Sequence, residues 1–140
     1  MAAMTPEACE AFLAQTRLGH LVMLTAQMVP LAIPIWFDWD GERARMFTSA
    51  TSPKIRRLRN NPRVSLLVAA ELGEKEEWVA IDGTMSIRSE GGMELAQRLA
   101  QKYWDLNDPD RAATLDLWRQ QASDLRLLEL VPSRIRSYTN

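Results

Sequence analysis

The run Thr48-Ser49-Ala50-Thr51-Ser52-Pro53-Lys54-Ile55-Arg56-Arg57 places four hydroxyls ahead of a proline and three cations after it. Ser52 followed by Pro53 is a cap residue and then a proline at the first helical position, which predicts a helix start. A helix N-terminus carries roughly half a positive charge, so each Lys or Arg in its first turns costs about 0.3–1 kcal/mol unless an anion is close. A bound phosphate removes that conflict, because helix N–H groups, hydroxyl donors and cations all converge on it. The competing reading is a solvated basic helix in which Ser52 serves only as a cap. From Thr48 through Ala70 there is no Asp or Glu, while Lys54, Arg56, Arg57, Arg59 and Arg63 bring a charge of +5. The whole chain has 17 Lys plus Arg against 18 Asp plus Glu, so the remainder is net acidic. That balance argues against a protein that mainly binds nucleic acid or an anionic membrane.

Aromatic residues are the second signal. Trp36, Phe47 and Trp39 flank the Asp40-Gly41 turn, with Phe37 beside them and Trp78 at the start of a later strand. Flat rings near a phosphate site suit a planar heterocycle, and they equally suit core and dimer packing. Trp104 and Trp118 read as packing or interface residues at helical spacing. His20 sits in an apolar run and reads as a core or interface histidine rather than a catalytic base. Asp82 beside Gly83 reads as a polar-face or bulge residue. No carboxylate or histidine stands out as a catalytic acid or base.

Those residues need a scaffold, and 140 residues with 46% hydrophobic and 25% charged side chains predict one globular domain. Cys9 and His20 are the chain's only cysteine and histidine. An intrachain disulfide, a Cys-type zinc site and a histidine metal cluster are therefore excluded, and a reducing cytosol is the expected compartment. Met1 to Glu10 has no basic-then-apolar leader, and no apolar run has membrane-spanning length, so a soluble, unprocessed chain is expected.

Thr5-Pro6-Glu7 predicts a helix from Pro6 to about Gln15. His20 to Thr25 predicts a strand buried on both faces, with Ala26-Gln27-Met28 as its turn. Val29 to Asp38 is a strand that Pro30 and Pro34 assign to an edge or a bulge. Arg43 to Ser49 is a strand with Ala44, Met46 and Thr48 on one face. A helix from Pro53 ends at Asn60-Asn61-Pro62. Arg63 to Ala70 and Trp78 to Ile87 are strands, and helices follow Gly91-Gly92 and Asp108-Pro109. Leu125 to Tyr138 is a final strand bent at Pro132. Six strands with hairpin-like connections and short helices predict the α+β class, mainly β, with an antiparallel sheet closed or nearly closed into a small barrel.

The order Pro34-Ile35-Trp36-Phe37, Asp40-Gly41, Met46-Phe47-Thr48-Ser49, Ser52-Pro53-Lys54 and Asn61-Pro62-Arg63-Val64 resembles the pyridoxamine 5'-phosphate oxidase-like, FMN-binding split-barrel superfamily. Trp78-Val79-Ala80-Ile81-Asp82-Gly83-Thr84 and Leu130-Val131-Pro132-Ser133-Arg134-Ile135 resemble its later strands. The resemblance covers most of the chain. It implies a six-stranded split β-barrel that forms a homodimer, with two flavin sites at the subunit interface. By position, the backbone of Ile33, Pro34, Ile35 and Trp36 lies along the flavin ring and ribityl chain. Phe47, Thr48 and Ser49 flank the phosphate, Ser52 and Lys54 bind it, Arg57 assists, and Trp78 is a further candidate.

The resemblance makes FMN the expected cofactor of an oxidoreductase acting on a small-molecule substrate or electron acceptor. The deazaflavin coenzyme F420 is the alternative, since the basic window suits its longer acidic tail, and haem is another ligand of the superfamily. The chain ends Arg134-Ile135-Arg136-Ser137-Tyr138-Thr139-Asn140 without the family's C-terminal histidine. Pyridoxamine phosphate is therefore not the expected substrate. Two further readings remain: a flavin- or haem-binding protein without turnover, and a barrel that binds single-stranded nucleic acid through its cations and tryptophans.

Overall fold

Cap chemistry starts three of the helices. In the computed structural model, which describes residues 2–140, Thr5 accepts from the Ala8 N–H at 3.2 Å ahead of helix α1 (Pro6–Ala14). Ser52 accepts from Lys54 ahead of α2 (Pro53–Asn60), and Asp108 accepts from Asp110 ahead of α4 (Pro109–Gln120). Between the last two lies α3 (Gly92–Tyr103), whose cap position is Gly91 at φ 90°. Strands β1 (Gly19–Leu24), β2 (Pro30–Ile35), β3 (Asp38–Trp39), β4 (Ala44–Ser49), β5 (Arg63–Ala69), β6 (Glu77–Arg88) and β7 (Leu125–Thr139) complete the chain.

All seven strands form one antiparallel sheet in the order β2-β1-β5-β6-β7-β4-β3. The expected strand count of six becomes seven because Val29 to Asp38 breaks at Trp36 and Phe37 into β2 and β3. These two strands stand at opposite ends of the order although only two residues separate them. The sheet must therefore curl until its ends approach at that corner, which is a split half-barrel. Pro30 and Pro34 lie on the edge strand β2, where a missing N–H costs no central ladder bond.

The inner face carries the core: Leu21, Met23, Met46, Leu66, Ile81 and Leu128 are each no more than 1% exposed. β1 departs from the expectation of burial on both faces. Gly19, Leu21 and Met23 are buried but His20 is exposed, so it is not a core residue. The glycine-free first turn closes because Met28 takes the left-handed conformation at φ 61° and Thr25 exchanges bonds with Val29. Gly83 sits at a register shift opposite Pro132, and a Cβ there would lie 2.1 Å from the Val131 carbonyl oxygen. Only glycine fits that approach.

The outer face is divided. Helix α3 covers β4 and β7, packing Leu95 and Leu99 on Leu127 and Phe47. Among the described residues no helix covers the outer side of β1, β5 and β6, because α1 and α2 turn Phe12, Leu13, Ile55 and Leu58 to the inner core. No helix among the described residues is long and apolar enough to cross a membrane.

Candidate functional site

The hydroxyl-rich run forms the bend between β4 and α2. Ser49 Oγ lies 3.0 Å from Thr51 Oγ1 and accepts from the Thr51 N–H, while the Ser52 N–H donates to the Ser49 carbonyl. Thr48 faces inward with Ala44 and Met46 at 7% exposure, so its backbone, not its hydroxyl, is what this bend presents. Helix α2 then divides its cations between two faces. Lys54 and Arg57 are half-buried together on one face. Arg56 and Arg59 line a cavity of about 440 Å³ with Thr51, Ser52 and Asn60 on the other.

Charge at this bend is unbalanced. Among the described residues, Lys54, Arg56, Arg57, Arg59 and Arg63 make no ion pair with a carboxylate. Burial pushes the Lys54 ammonium below the ordinary lysine range, and the neighbouring Arg57 charge pushes it further. A desolvated cation beside another cation, at the start of a helix, is favoured only when an anion joins it.

Trp36 and Phe47, from the β2–β3 corner and β4, meet in a second region. With Leu18, Pro34, Ile35, Trp104 and Trp118 they wall a cavity of about 450 Å³. Trp104 and Trp118 stack at 5.3 Å and 26°, and Trp36 stacks on Tyr103 at 5.0 Å and 6°. The corner is held by Tyr103, whose hydroxyl donates to the Arg17 carbonyl at 2.6 Å and accepts from the Phe37 N–H at 3.4 Å. Ile33 and Ile35 point into the core from the same strand. The expected packing residues Trp104 and Trp118 thus line a cavity, which spacing along the helices alone did not reveal.

Trp78 does not join these groups within one chain. β6 is separated from β4 by β7, and Trp78 lies on the uncovered outer face. There it lines a depression of about 410 Å³ with Val22, Ser65, Leu67, Ala80 and Arg136. Asp82 is on that face as well, accepting from Arg136 and Ser65 at the bulge expected for it.

A second cluster of cations is neutralised within the chain. Glu129, 4% exposed, accepts from Arg43 and Arg45 at 2.9 Å each, with Arg88 at 3.2 Å. Arg45 also pairs with Asp40. Burial works against both carboxylate charges but is outweighed. The Arg43 and Glu42 N–H groups and Arg45 hold Asp40 at about 2, and the three arginines lower Glu129.

The family model for pyridoxamine 5'-phosphate oxidase matches residues 5–137. A search of curated proteins found no match. Among solved structures, the chain is similar to an F420 reductase at 22% identity, over 90% of this chain and 94% of that one, with a TM-score of 0.72. A FAD-binding protein from Mesorhizobium loti is 18% identical over 97% and 93% of the two chains, with a TM-score of 0.66. A heme binding protein from Mycobacterium smegmatis is 22% identical over 99% of this chain and 59% of that one, with a TM-score of 0.64. At these identities the likeness is one of fold.

Proposed function

The chain belongs to the pyridoxamine 5'-phosphate oxidase-like split-barrel family, and from that premise we propose that it binds FMN and acts as an oxidoreductase on a small molecule. The observation that carries this reading is the bend from Ser49 to Arg57, where hydroxyls, a helix start and cations without carboxylate partners meet. A phosphate monoester fits that chemistry: Ser49, Ser52 and Lys54 hold it, with Arg57 adding charge. The ring and ribityl chain lie along the backbone of Ile33, Pro34, Ile35 and Trp36, with Phe47 and Thr48 at the phosphate end. The flavin supplies hydride or electron transfer, and the protein supplies its position and electrostatic surroundings.

We further propose that two copies pair through the outer side of β1, β5 and β6, which no helix of the chain covers. Val22, Leu67, Trp78 and Ala80 make that side apolar at its centre, and pairing brings Trp78 to the partner's cofactor. Leu67, 37% exposed, is the residue to test. Leu67→Glu puts a charge into the interface, and sedimentation should then show a monomer where the parent chain is a dimer; an unchanged mass removes this face from consideration.

A second reading is supported by the other face of α2. Arg56 and Arg59 beside the cavity of about 440 Å³ suit an acidic tail longer than one phosphate, as in F420, which is also the coenzyme in the name of one structural neighbour. Visible absorption of the purified protein, followed by fluorescence titration with each coenzyme, separates the two. Saturation at one FMN per chain supports the first reading, saturation by F420 alone supports the second, and binding of neither removes both. All of these functions concern a protein expected in the cytoplasm.

A further inference from the structure

Trp36, Phe47, Trp104 and Trp118 pack edge-to-face and stacked around the cavity of about 450 Å³, with centroid separations from 4.8 to 6.4 Å. All four are half-buried. An aromatic cluster that served packing alone would close on itself, whereas these rings leave apolar surface turned to a space of small-ligand size. Among the described residues no Lys, Arg, Asp or Glu lines that space. An anion entering it would lose water without gaining a partner, and a cation would gain only ring faces, one of which Arg111 already covers at Trp104.

The walls have two origins. Pro34, Ile35 and Trp36 belong to the edge strand and corner assigned above to the cofactor ring. Trp104 caps the end of α3 and Trp118 lies in the last turns of α4, so both come from the helical hairpin inserted between β6 and β7. The insert is tied to the corner by the Tyr103 hydroxyl through Arg17 and Phe37, which keeps the rings in place before any ligand arrives.

We propose that this cavity binds a flat, uncharged aromatic molecule, and that Trp104 and Trp118 select it. Its role as the substrate pocket rests on the cofactor reading above; its existence as a binding site does not. A molecule held there would lie against the strand to which the cofactor reading assigns the flavin ring.

Calorimetric titration with three probes of one shape tests this: neutral 2-naphthol, anionic 2-naphthoate and cationic 1-methylquinolinium. Each is titrated into the protein with and without saturating FMN. The expected result is 2-naphthol binding at least tenfold tighter than either ion, unaffected by FMN. Trp118→Ala and Leu18→Glu should each weaken it tenfold or more while FMN affinity, read from flavin fluorescence, stays the same. Leu18 is 45% exposed, so that variant leaves the core intact if Trp118→Ala fails to fold.

Displacement of 2-naphthol by FMN would assign the cavity to the cofactor itself and overturn the proposal. Equal affinity for all three probes, no binding, or tight binding of an ion in its place would overturn it as well. Selective 2-naphthol binding in a protein that ignores FMN would keep the pocket and remove the cofactor reading instead.

Discussion

Two clusters of cations on this molecule differ in one respect. Arg43, Arg45 and Arg88 converge on the buried carboxylate of Glu129, and Arg45 also reaches Asp40. Lys54, Arg56, Arg57 and Arg59 on α2 have no carboxylate among the described residues. In the first cluster the chain supplies the anion and the result is structural, tying β4, β6 and β7 together. In the second no carboxylate of the chain supplies the anion, and the proposed phosphate site rests on that difference. Cation count does not distinguish the two; pairing does.

The largest effect should follow from breaking the paired cluster. Glu129→Ala removes the carboxylate that Arg43, Arg45 and Arg88 share and should cost about 3 kcal/mol, the low end for a buried partner because the arginines are 27–58% exposed and regain water. Urea unfolding measures it, and a loss below 1 kcal/mol would mean that the cluster is not structural. Lys54→Ala should do the reverse. Flavin affinity should fall by about 1.5–3 kcal/mol, the worth of a charge-assisted hydrogen bond, with the unfolding midpoint unchanged. Unaltered FMN affinity in that variant would detach the phosphate from Lys54.

The smallest effects are in pH, and their signs are opposite. Asp40 and Glu129 are depressed in the folded state, so the stability they contribute is whole above the ordinary carboxylate range and is lost as pH falls toward about 2. Lys54 is also depressed, but it is a base: folding disfavours its charged form, and that penalty ends as pH rises through the ordinary lysine value. FMN needs the charged form. Affinity should therefore decline at alkaline pH, starting below the ordinary lysine range, and also in mild acid, as the phosphate monoester takes its second proton at about pH 6, before the carboxylates of the fold protonate. Titrations of FMN affinity and of the unfolding midpoint across pH check both signs.

Much of the scaffold was legible because its signals are local. A cap followed by proline set the starts of α1, α2 and α4, and period-two burial set the faces of β4 and β6. Prolines placed β2 at an edge. The expected six strands became seven, and His20 came out exposed, because both depend on what lies across the sheet. Whether a strand is buried on one face or two is decided by the element that covers it, and no helix covers β1 from outside.

The candidate site was legible in part for the same reason. The chemistry of Ser52-Pro53-Lys54 is contiguous, so the sequence alone raised an anion at a helix start, beside the alternative of a solvated basic helix. Trp104 and Trp118 lie far along the chain from Trp36 and Phe47, and nothing local says that one helical hairpin folds over the corner between β2 and β3. Trp78 lies on another face for a reason of strand order, with β7 between it and β4. Sequence by itself determined most of the elements, the excess of charge on α2 and the family pattern, since each rests on neighbours in the chain. Only the tertiary structure decided which cations found carboxylates and which rings enclosed a space, because both are contacts between residues that the chain holds far apart.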